Sequence, residues 1–485
     1  MREIELKFQV PPQARAAVDA AVAGAARPPR VRLQAAYFDT ADRALARVGL
    51  ALRVRREGRR LVQTLKGLEG DGITRSEHNV NLSTAAVNAA DPSLHADTPV
   101  GQRLAVVLRD SSPLVMTFRT DIRRRTRAVR TRHGMVEIAF DDGVITAGEE
   151  QLAVCELEIE LLSGSPLAVL AAARTWVKRH GLWLDTRGKA ERGDMLSRGE
   201  PVAPPRKASG IELDKDAGMD DAMRRVVLSC LEQISVNASQ ISSGEHSDEH
   251  VHQLRVGLRR LRTAWRLFGL EEPAPQIDDA ATQCFRALGA SRDSAVVAGF
   301  IADELHQAMA AIGLSWDLPR VAADQGAAPV DIVRDFSCQA LMLSLFEWTQ
   351  GLGTVASPSL QVLEKELARD HKKVVAGLAE FTTLDHLARH KLRKRAKRLR
   401  YGLEFLAPLL DGDDVRRTLK ALKKTLDELG RYMDLSVAID ACKPQADDAT
   451  TRFAIGWLAA RREALIAEIP ALAGPLKKRR PVRKP

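Results

Sequence analysis

The sequence predicts an α+β, multidomain chain: an N-terminal antiparallel β-barrel followed by an all-α part built as two pseudo-symmetric helical bundles. Three observations carry this. Up to about residue 198, apolar and polar residues alternate with period 2 between Gly- and Asp-containing turns such as "EGDG" and "DDG". From about residue 217 the apolar residues recur at helical spacing. Within that half, the segments 252–262 and 390–400 repeat each other without a gap.

Length and composition narrow the alternatives. A chain of 485 residues exceeds one hydrophobic core. Domains are expected at 1–198 and 217–476, joined by a linker at 199–216 around "GEPVAPPRKASG" and ended by a basic tail, 477–485. No run reaches the roughly 18 apolar residues of a membrane span. The first residues lack a signal peptide's apolar stretch, so a cytoplasmic protein is expected. Five scattered cysteines without CxxC spacing read as core residues, not disulfides or zinc ligands. A net charge of +10 asks for a polyanionic partner. Aromatic residues are only 4% and no nucleic-acid-binding signature is present, so nucleic acid is not the expected one.

The strands follow in order. In "REIELKF", Ile4, Leu6 and Phe8 take one face and Glu3, Glu5 and Lys7 the other. "LALRVR" sets Arg53 and Arg55 against Leu50, Leu52 and Val54, and "LVQTLK" sets Lys66 against Leu61 and Leu65. "MTFRTDIRRRTR" sets Arg119, Asp121, Arg123 and Arg125 against Phe118, Thr120 and Ile122. "VEIAFD" opposes Glu137 and Asp141 to Val136, Ile138 and Phe140, and "CELEIELL" opposes Glu156, Glu158 and Glu160 to Leu157, Ile159 and Leu161. One such strand is an ordinary half-solvated surface strand. Together they sort by sign, and like charges on neighbouring positions cost stability unless an ion neutralises them. A closed barrel with these faces inward gathers an all-oxygen cluster suited to Mg²⁺ or Mn²⁺. Beside it stand Arg and Lys groups suited to phosphate oxygens. On this reading Glu3 and Glu5 hold metal and Lys7 holds phosphate.

"EIELK" resembles the ExExK signature of the CYTH family, the triphosphate tunnel metalloenzymes, and "YFDT", "LRVR", "TLK", "ELEIEL" and "RGKAERG" follow in the family's order. The resemblance covers residues 1–198 and implies an eight-stranded antiparallel tunnel that binds a triphosphate and a divalent metal. By position it implies Glu3, Glu5, Glu156 and Glu158 as metal ligands. Lys7, Arg53, Arg55, Lys66, Arg119 and Lys189 match the phosphate-binding set, with Arg123 or Arg125 added to it; Glu160 and Asp141 match less closely. The expected chemistry is metal-assisted attack of water on a terminal phosphoryl group, with Glu3, Glu5 and Lys7 at its centre.

In the second half, "HQLRVGLRRLR" and "HKLRKRAKRLR" share H-x-L-R-x3-[RK]-R-L-R, and about 30 residues on "LGASRD" (288–293) and "LGRYMD" (429–434) share L-G-x3-D. On a helix His252, Arg255, Arg259, Arg262 and Arg266 form one stripe, and the repeat supplies His390, Arg393, Lys397 and Arg400. Leu254, Leu258, Leu261, Leu392 and Leu399 then face the core. Most basic runs are solvated faces with acidic partners at i, i+4. Here such partners are nearly absent, which points to an anion held between the stripes. His246, His250 and His252 do not share one face, so phosphate contact rather than metal is expected of the histidines.

These repeats resemble the CHAD family, the conserved-histidine α-helical domain, over residues 217–485. The resemblance implies two four-helix bundles whose basic surface binds inorganic polyphosphate. In the second repeat Met433 stands where the first has Arg292, so Asp293 and Asp434 correspond while Arg292 has no counterpart. The combined expectation is an inorganic triphosphatase with a polyphosphate-binding module, cytoplasmic and found at polyphosphate granules. The alternatives are a catalytically idle polyphosphate-binding or targeting protein, a nucleotide or thiamine triphosphatase, or an adenylate cyclase. Homo-oligomerisation stays open.

Overall fold

The structure, a computed structural model, describes residues 2–68, 74–83, 89–109, 111–213, 218–272, 274–289, 300–313, 327–352, 356–410 and 412–478. The "EGDG" turn, residues 214–216 of the expected linker, Arg292, Asp293 and residues 479–485 of the tail lie outside these.

Eight strands run β1 (Arg2–Gln9), β2 (Val31–Thr40), β3 (Leu50–Glu57), β4 (Arg60–Leu68), β5 (Thr74–Leu82), β6 (Leu114–Thr131), β7 (Gly134–Ala147) and β8 (Glu150–Gly164). Their order is β5-β4-β3-β2-β6-β7-β8-β1, and pairing of β1 with β5 closes the antiparallel barrel. The two-residue β9 (Trp183–Leu184) pairs with the end of β1. Five helices accompany the strands: α1 (Arg15–Ala23), α2 (Ala44–Arg47), α3 (Pro99–Leu108), α4 (Leu167–His180) and α5 (Lys189–Ser197).

On β1, β3, β4, β7 and β8 the apolar face points outward, while Leu33, Ala35 and Tyr37 of β2 and Ile122 of β6 line the interior. Leu6, Phe8, Ile138, Phe140, Leu157 and Ile159 are all buried, and α4, with Ala168, Ala172, Ala173, Trp176 and Val177 buried, packs on β1, β7 and β8. A second cluster joins Leu45, Leu50, Leu52, Leu65, Val100 and Leu104 around α2 and α3. Each such side chain contributes roughly 1.5–3 kcal/mol, so this coat stabilises the barrel and leaves the lumen free to be polar. One end of the barrel is filled by α5, whose Ala190 and Leu196 join Leu33, Ala35, Tyr37, Phe118, Ile122 and Val154. A Cβ at Gly193 would sit 2.2 Å from the Phe118 ring, so only glycine permits this approach. In "YFDT", Asp39 is structural: its carboxylate accepts from the backbone N–H groups of Leu45 and Ala46, each at 2.9 Å, and starts α2.

The chain divides into two compact units. The first comprises Met1–Lys207, Leu231–Leu254 and Val330–Gly353; the second comprises Ala208–Cys230, Arg255–Pro329 and Thr354–Pro485. The second half is helical, beginning with α6 (Met219–Ser242), α7 (Asp248–Leu267) and α8 (Pro275–Ala287). In the second unit the helices Leu360–Ala379, His386–Leu406, Gly412–Cys442 and Ala449–Glu468 pack each against the next. Leu254, Leu258, Leu261, Leu392 and Leu399 are buried, as helical spacing requires. Among the described residues, no helix is long and apolar enough to cross a membrane.

Candidate functional site

The inward faces line a cavity of about 290 Å³. Register builds its walls. Glu5 lies opposite Glu160, Lys7 opposite Glu158, and Glu160 opposite Glu137. Across β1 and β5 Glu3 faces Arg75, and Lys66 faces Glu77 across β4 and β5. Arg53 and Arg55 arrive on β3, Arg124 on β6 opposite Asp141, and Lys189 on the first turn of α5. The lumen therefore has a mainly acidic wall on β7, β8 and β1, with Lys7 as its cation, a basic wall on β3, β4 and β6, and β5 between them carrying both Arg75 and Glu77.

Carboxylates and cations of the lumen are paired, both across the walls and within them. Glu5 contacts Lys7 and lies 2.9 Å from Arg75 Nε, and Glu3 lies 2.8 Å from Lys66 Nζ, which also contacts Glu77. Arg124 Nη2 lies 2.6 Å from Asp141 and contacts Glu158. Lys189 Nζ lies 2.6 Å from Asp141 and 3.0 Å from Glu158, and contacts Glu156. Burial opposes charge on Glu5, yet the Lys7, Lys66 and Arg75 cations bring its pKa down to about 2. Glu3 goes the other way. Burial, with Glu5 and Glu77 outweighing Lys66, pushes it up to about 8. Glu160 is raised by burial, then by Glu5 and Glu137. Arg53 and burial push Arg55 down to about 10.

Crowded carboxylates are what a divalent cation relieves, and an all-oxygen donor set suits Mg²⁺ or Mn²⁺. Glu3, Glu5, Glu77, Glu158 and Glu160 place such oxygens on the lumen wall. Asp141, Glu156 and Glu158 also bring oxygens within 4.8 Å of one another. There the Lys189 ammonium already contacts all three carboxylates.

Of the residues singled out from sequence, Glu3, Glu5, Lys7, Arg53, Arg55, Lys66, Glu158 and Lys189 meet in the cavity. Glu156 shares their face but does not line it: fully buried, it contacts Lys189 and Arg192. On β6 the face assignment is corrected. Arg119, Arg123 and Arg125 lie on the outer face, and Thr120, Ile122 and Arg124 point inward. The reason is that β6 carries charge on both faces. Outside, Asp121 accepts from Arg32 Nε at 2.9 Å, and Arg125 pairs with Asp19 of α1 at 3.1 Å. Arg75, Glu77, Arg124 and Arg192 were not expected. Arg75 and Glu77 keep the period-2 signal in "TRSE", but β5 lacks the apolar alternation that marks a strand.

In the second unit the two basic stripes meet. Arg259 of α7 bears electrostatically on Arg393 and Lys397 of the helix His386–Leu406, with Asp434 as the acid acting on both. Burial and the cations Arg259, Arg393 and Arg400 push Lys397 down to about 6. His390 is lowered by burial and then by Lys394 and Arg393. Some stripe residues are tied down instead. Arg255 Nη1 donates to Leu288 O at 2.9 Å, Arg262 Nε to Asp278 at 3.1 Å, and Arg400 pairs with Glu404 at 3.3 Å. Arg266 lies near enough to depress Arg398. His252 is half-buried on the part of α7 that belongs to the first unit.

Residues 1–193 match the CYTH domain family and residues 225–443 the CHAD domain family. The inorganic triphosphatase of Haemophilus influenzae is 30% identical over 167 residues, 33% of this chain and 44% of that protein, so the match spans less than half of that relative. Among solved structures, the CHAD domain of the plant Ricinus communis is similar at 28% identity, covering 58% of this chain and 99% of that one with a TM-score of 0.44. A Hippeastrum protein described as a proposed adenylyl cyclase with a dominant triphosphatase activity is 22% identical, over 42% of this chain and 98% of that one, with a TM-score of 0.30. The family matches, rather than these overlaps, assign the chain: it carries a CYTH domain at residues 1–193 followed by a CHAD domain at residues 225–443.

Proposed function

We propose that the barrel hydrolyses the terminal phosphoanhydride of a linear triphosphate, inorganic triphosphate first, with Mg²⁺ or Mn²⁺, and that the helical half binds inorganic polyphosphate. The observation that carries this is a cavity with a mainly acidic and a basic wall whose side chains pair with one another. Kinship to an inorganic triphosphatase supports the substrate class.

Lys7, Lys66, Arg53, Arg55, Arg124 and Lys189 hold the phosphate oxygens, the guanidinium groups by their forks and the ammonium groups as point charges. Glu3, Glu5 and Glu158, with Glu77 and Glu160, hold the metal, while Glu156 stays with Lys189 and Arg192. The bound metal would supply charge neutralisation on the transferred phosphoryl group. A carboxylate of the acidic wall orients the attacking water, and the half-buried basic wall stabilises the leaving phosphate. In the helical half, Arg259, Arg393, Lys397 and His390 are the centre of the polyphosphate surface, built on two pseudo-symmetric four-helix bundles. The functional parts are residues 1–198 and 217–476. The protein is cytoplasmic, at polyphosphate granules.

Phosphate release from inorganic triphosphate by the full chain, with and without Mg²⁺ or Mn²⁺, tests the reading. Metal-dependent turnover lost in Glu5→Gln is expected. Triphosphate bound without turnover would make the barrel a binding module, and faster release from ATP or thiamine triphosphate would move the substrate.

A further inference from the structure

The first unit contains more than the barrel, and the added pieces reach toward its site. The run from Leu184 to Arg187 leads into α5, where Lys189 begins the helix behind a Gly188 N-cap with no side-chain capping bond. Three side chains from the helical half hold this run. Gln339 Oε1 accepts from Leu184 N at 2.7 Å, Ser239 Oγ accepts from Thr186 N at 3.0 Å, and Gln240 Oε1 accepts from Arg187 Nη1 at 3.1 Å. All three belong to the first unit and are at most 2% exposed. They are fixed in turn: Ser239 Oγ donates to Ser235 O at 2.8 Å and Gln339 Nε2 to Val333 O at 2.7 Å.

The other side of the run is tied to β1. Asp185 N donates to Lys7 O at 3.0 Å, Gln9 Nε2 donates to Asp185 Oδ2 at 3.1 Å, and Arg187 Nε donates to Asp185 Oδ1 at 2.9 Å. The run is therefore clamped between a barrel strand that carries site residues and buried amides and a hydroxyl from beyond residue 230. Buried polar groups of this kind stay in place because leaving one unmatched is costly.

We propose that Ser239, Gln240 and Gln339 are positioning residues for Lys189: they hold the run 184–187 so that the Lys189 ammonium meets Asp141, Glu156 and Glu158. The stretches 231–254 and 330–353 of the helical half are then a structural part of the barrel's site. The proposal rests on the triphosphatase reading only for its activity readout.

The test uses the full chain with Ser239→Ala and Gln240→Ala. Lysine acetylation by an N-hydroxysuccinimide ester, followed by mass spectrometry, reads the exposure of Lys189 with Lys7 and Lys66 as internal references. Lys189 labelling is expected to rise about tenfold, the factor that one lost hydrogen bond carries, with the two references within about twofold. Ser239→Thr, which keeps the hydroxyl, returns Lys189 to the wild-type rate. Unchanged Lys189 labelling, or all three lysines rising together as in general loosening, overturns the proposal. In the same variants kcat/KM for triphosphate falls about tenfold, and Ser239→Ala costs nothing further in a Lys189→Ala background; additive losses speak against action through Lys189. A wild-type chain without turnover overturns the triphosphatase reading alone, and the labelling still decides the positioning.

Discussion

The barrel lumen and the helical cluster are both rich in Arg and Lys, yet they manage charge in opposite ways. In the lumen Lys66, Arg75, Arg124 and Lys189 each lie within 3.0 Å of a carboxylate. In the cluster Arg259, Arg393 and Lys397 crowd together, and Asp434 is the acid that bears on Arg393 and Lys397. The difference teaches what each can do. A paired lumen can exchange partners, its carboxylates turning to a metal while its cations turn to phosphate, so the two ligands favour each other. An unbalanced cluster only lacks an anion, and any polyanion of suitable spacing relieves it.

The largest expected effect separates the two regions. Glu158→Gln lowers metal-dependent triphosphate turnover about a thousandfold, while polyphosphate retention by the same protein, read by filter binding, stays within about twofold. Next, Arg124→Ala costs about a hundredfold in turnover and Arg123→Ala less than about twofold, because only the first enters the lumen. Equal losses would erase the distinction between the faces of β6. In the helical half, Arg393→Ala weakens polyphosphate binding about tenfold at low salt, less at high salt, and leaves triphosphate turnover untouched.

The smallest effect is a pair of opposite pH trends. Metal binding needs Glu3 ionised, so affinity for Mn²⁺ rises with pH up to about 8 and then levels. A bound polyanion restores the charge on Lys397, so polyphosphate affinity falls as pH rises above about 6. One proton limits each slope to about tenfold per pH unit. Calorimetry in two buffers of different ionisation heat reads proton release in the first case and uptake in the second.

How legible these regions are in the sequence depends on how charge is distributed between the faces of a strand. On β1, β3 and β8, Glu3, Glu5, Lys7, Arg53, Arg55 and Glu158 announce the lumen because the other face is apolar. On β6 the run Arg123, Arg124, Arg125 charges both faces, and only pairing of Arg124 with Asp141 across β7 reveals which side is inward. Arg75 and Glu77 sit on a strand without apolar alternation. The buried leucines of α7 and the helix His386–Leu406 follow directly from helical spacing. The grouping of 231–254 and 330–353 with the barrel rests on contacts between residues far apart in the chain, for which one sequence holds no local signal.

The outward apolar coat has a consequence for how such a barrel can change over time. Along β1 the residues Ile4, Leu6 and Phe8 answer to stability, and Glu3, Glu5 and Lys7, one position away, answer to chemistry. Buried charges are costly to keep, and replacing a matched pair with apolar groups is often neutral or stabilising. A lineage could therefore rewrite its lumen residue by residue, or silence it, with the coat untouched. In such a fold persistence of the charged lumen is the mark of selection for activity, since stability alone would erode it.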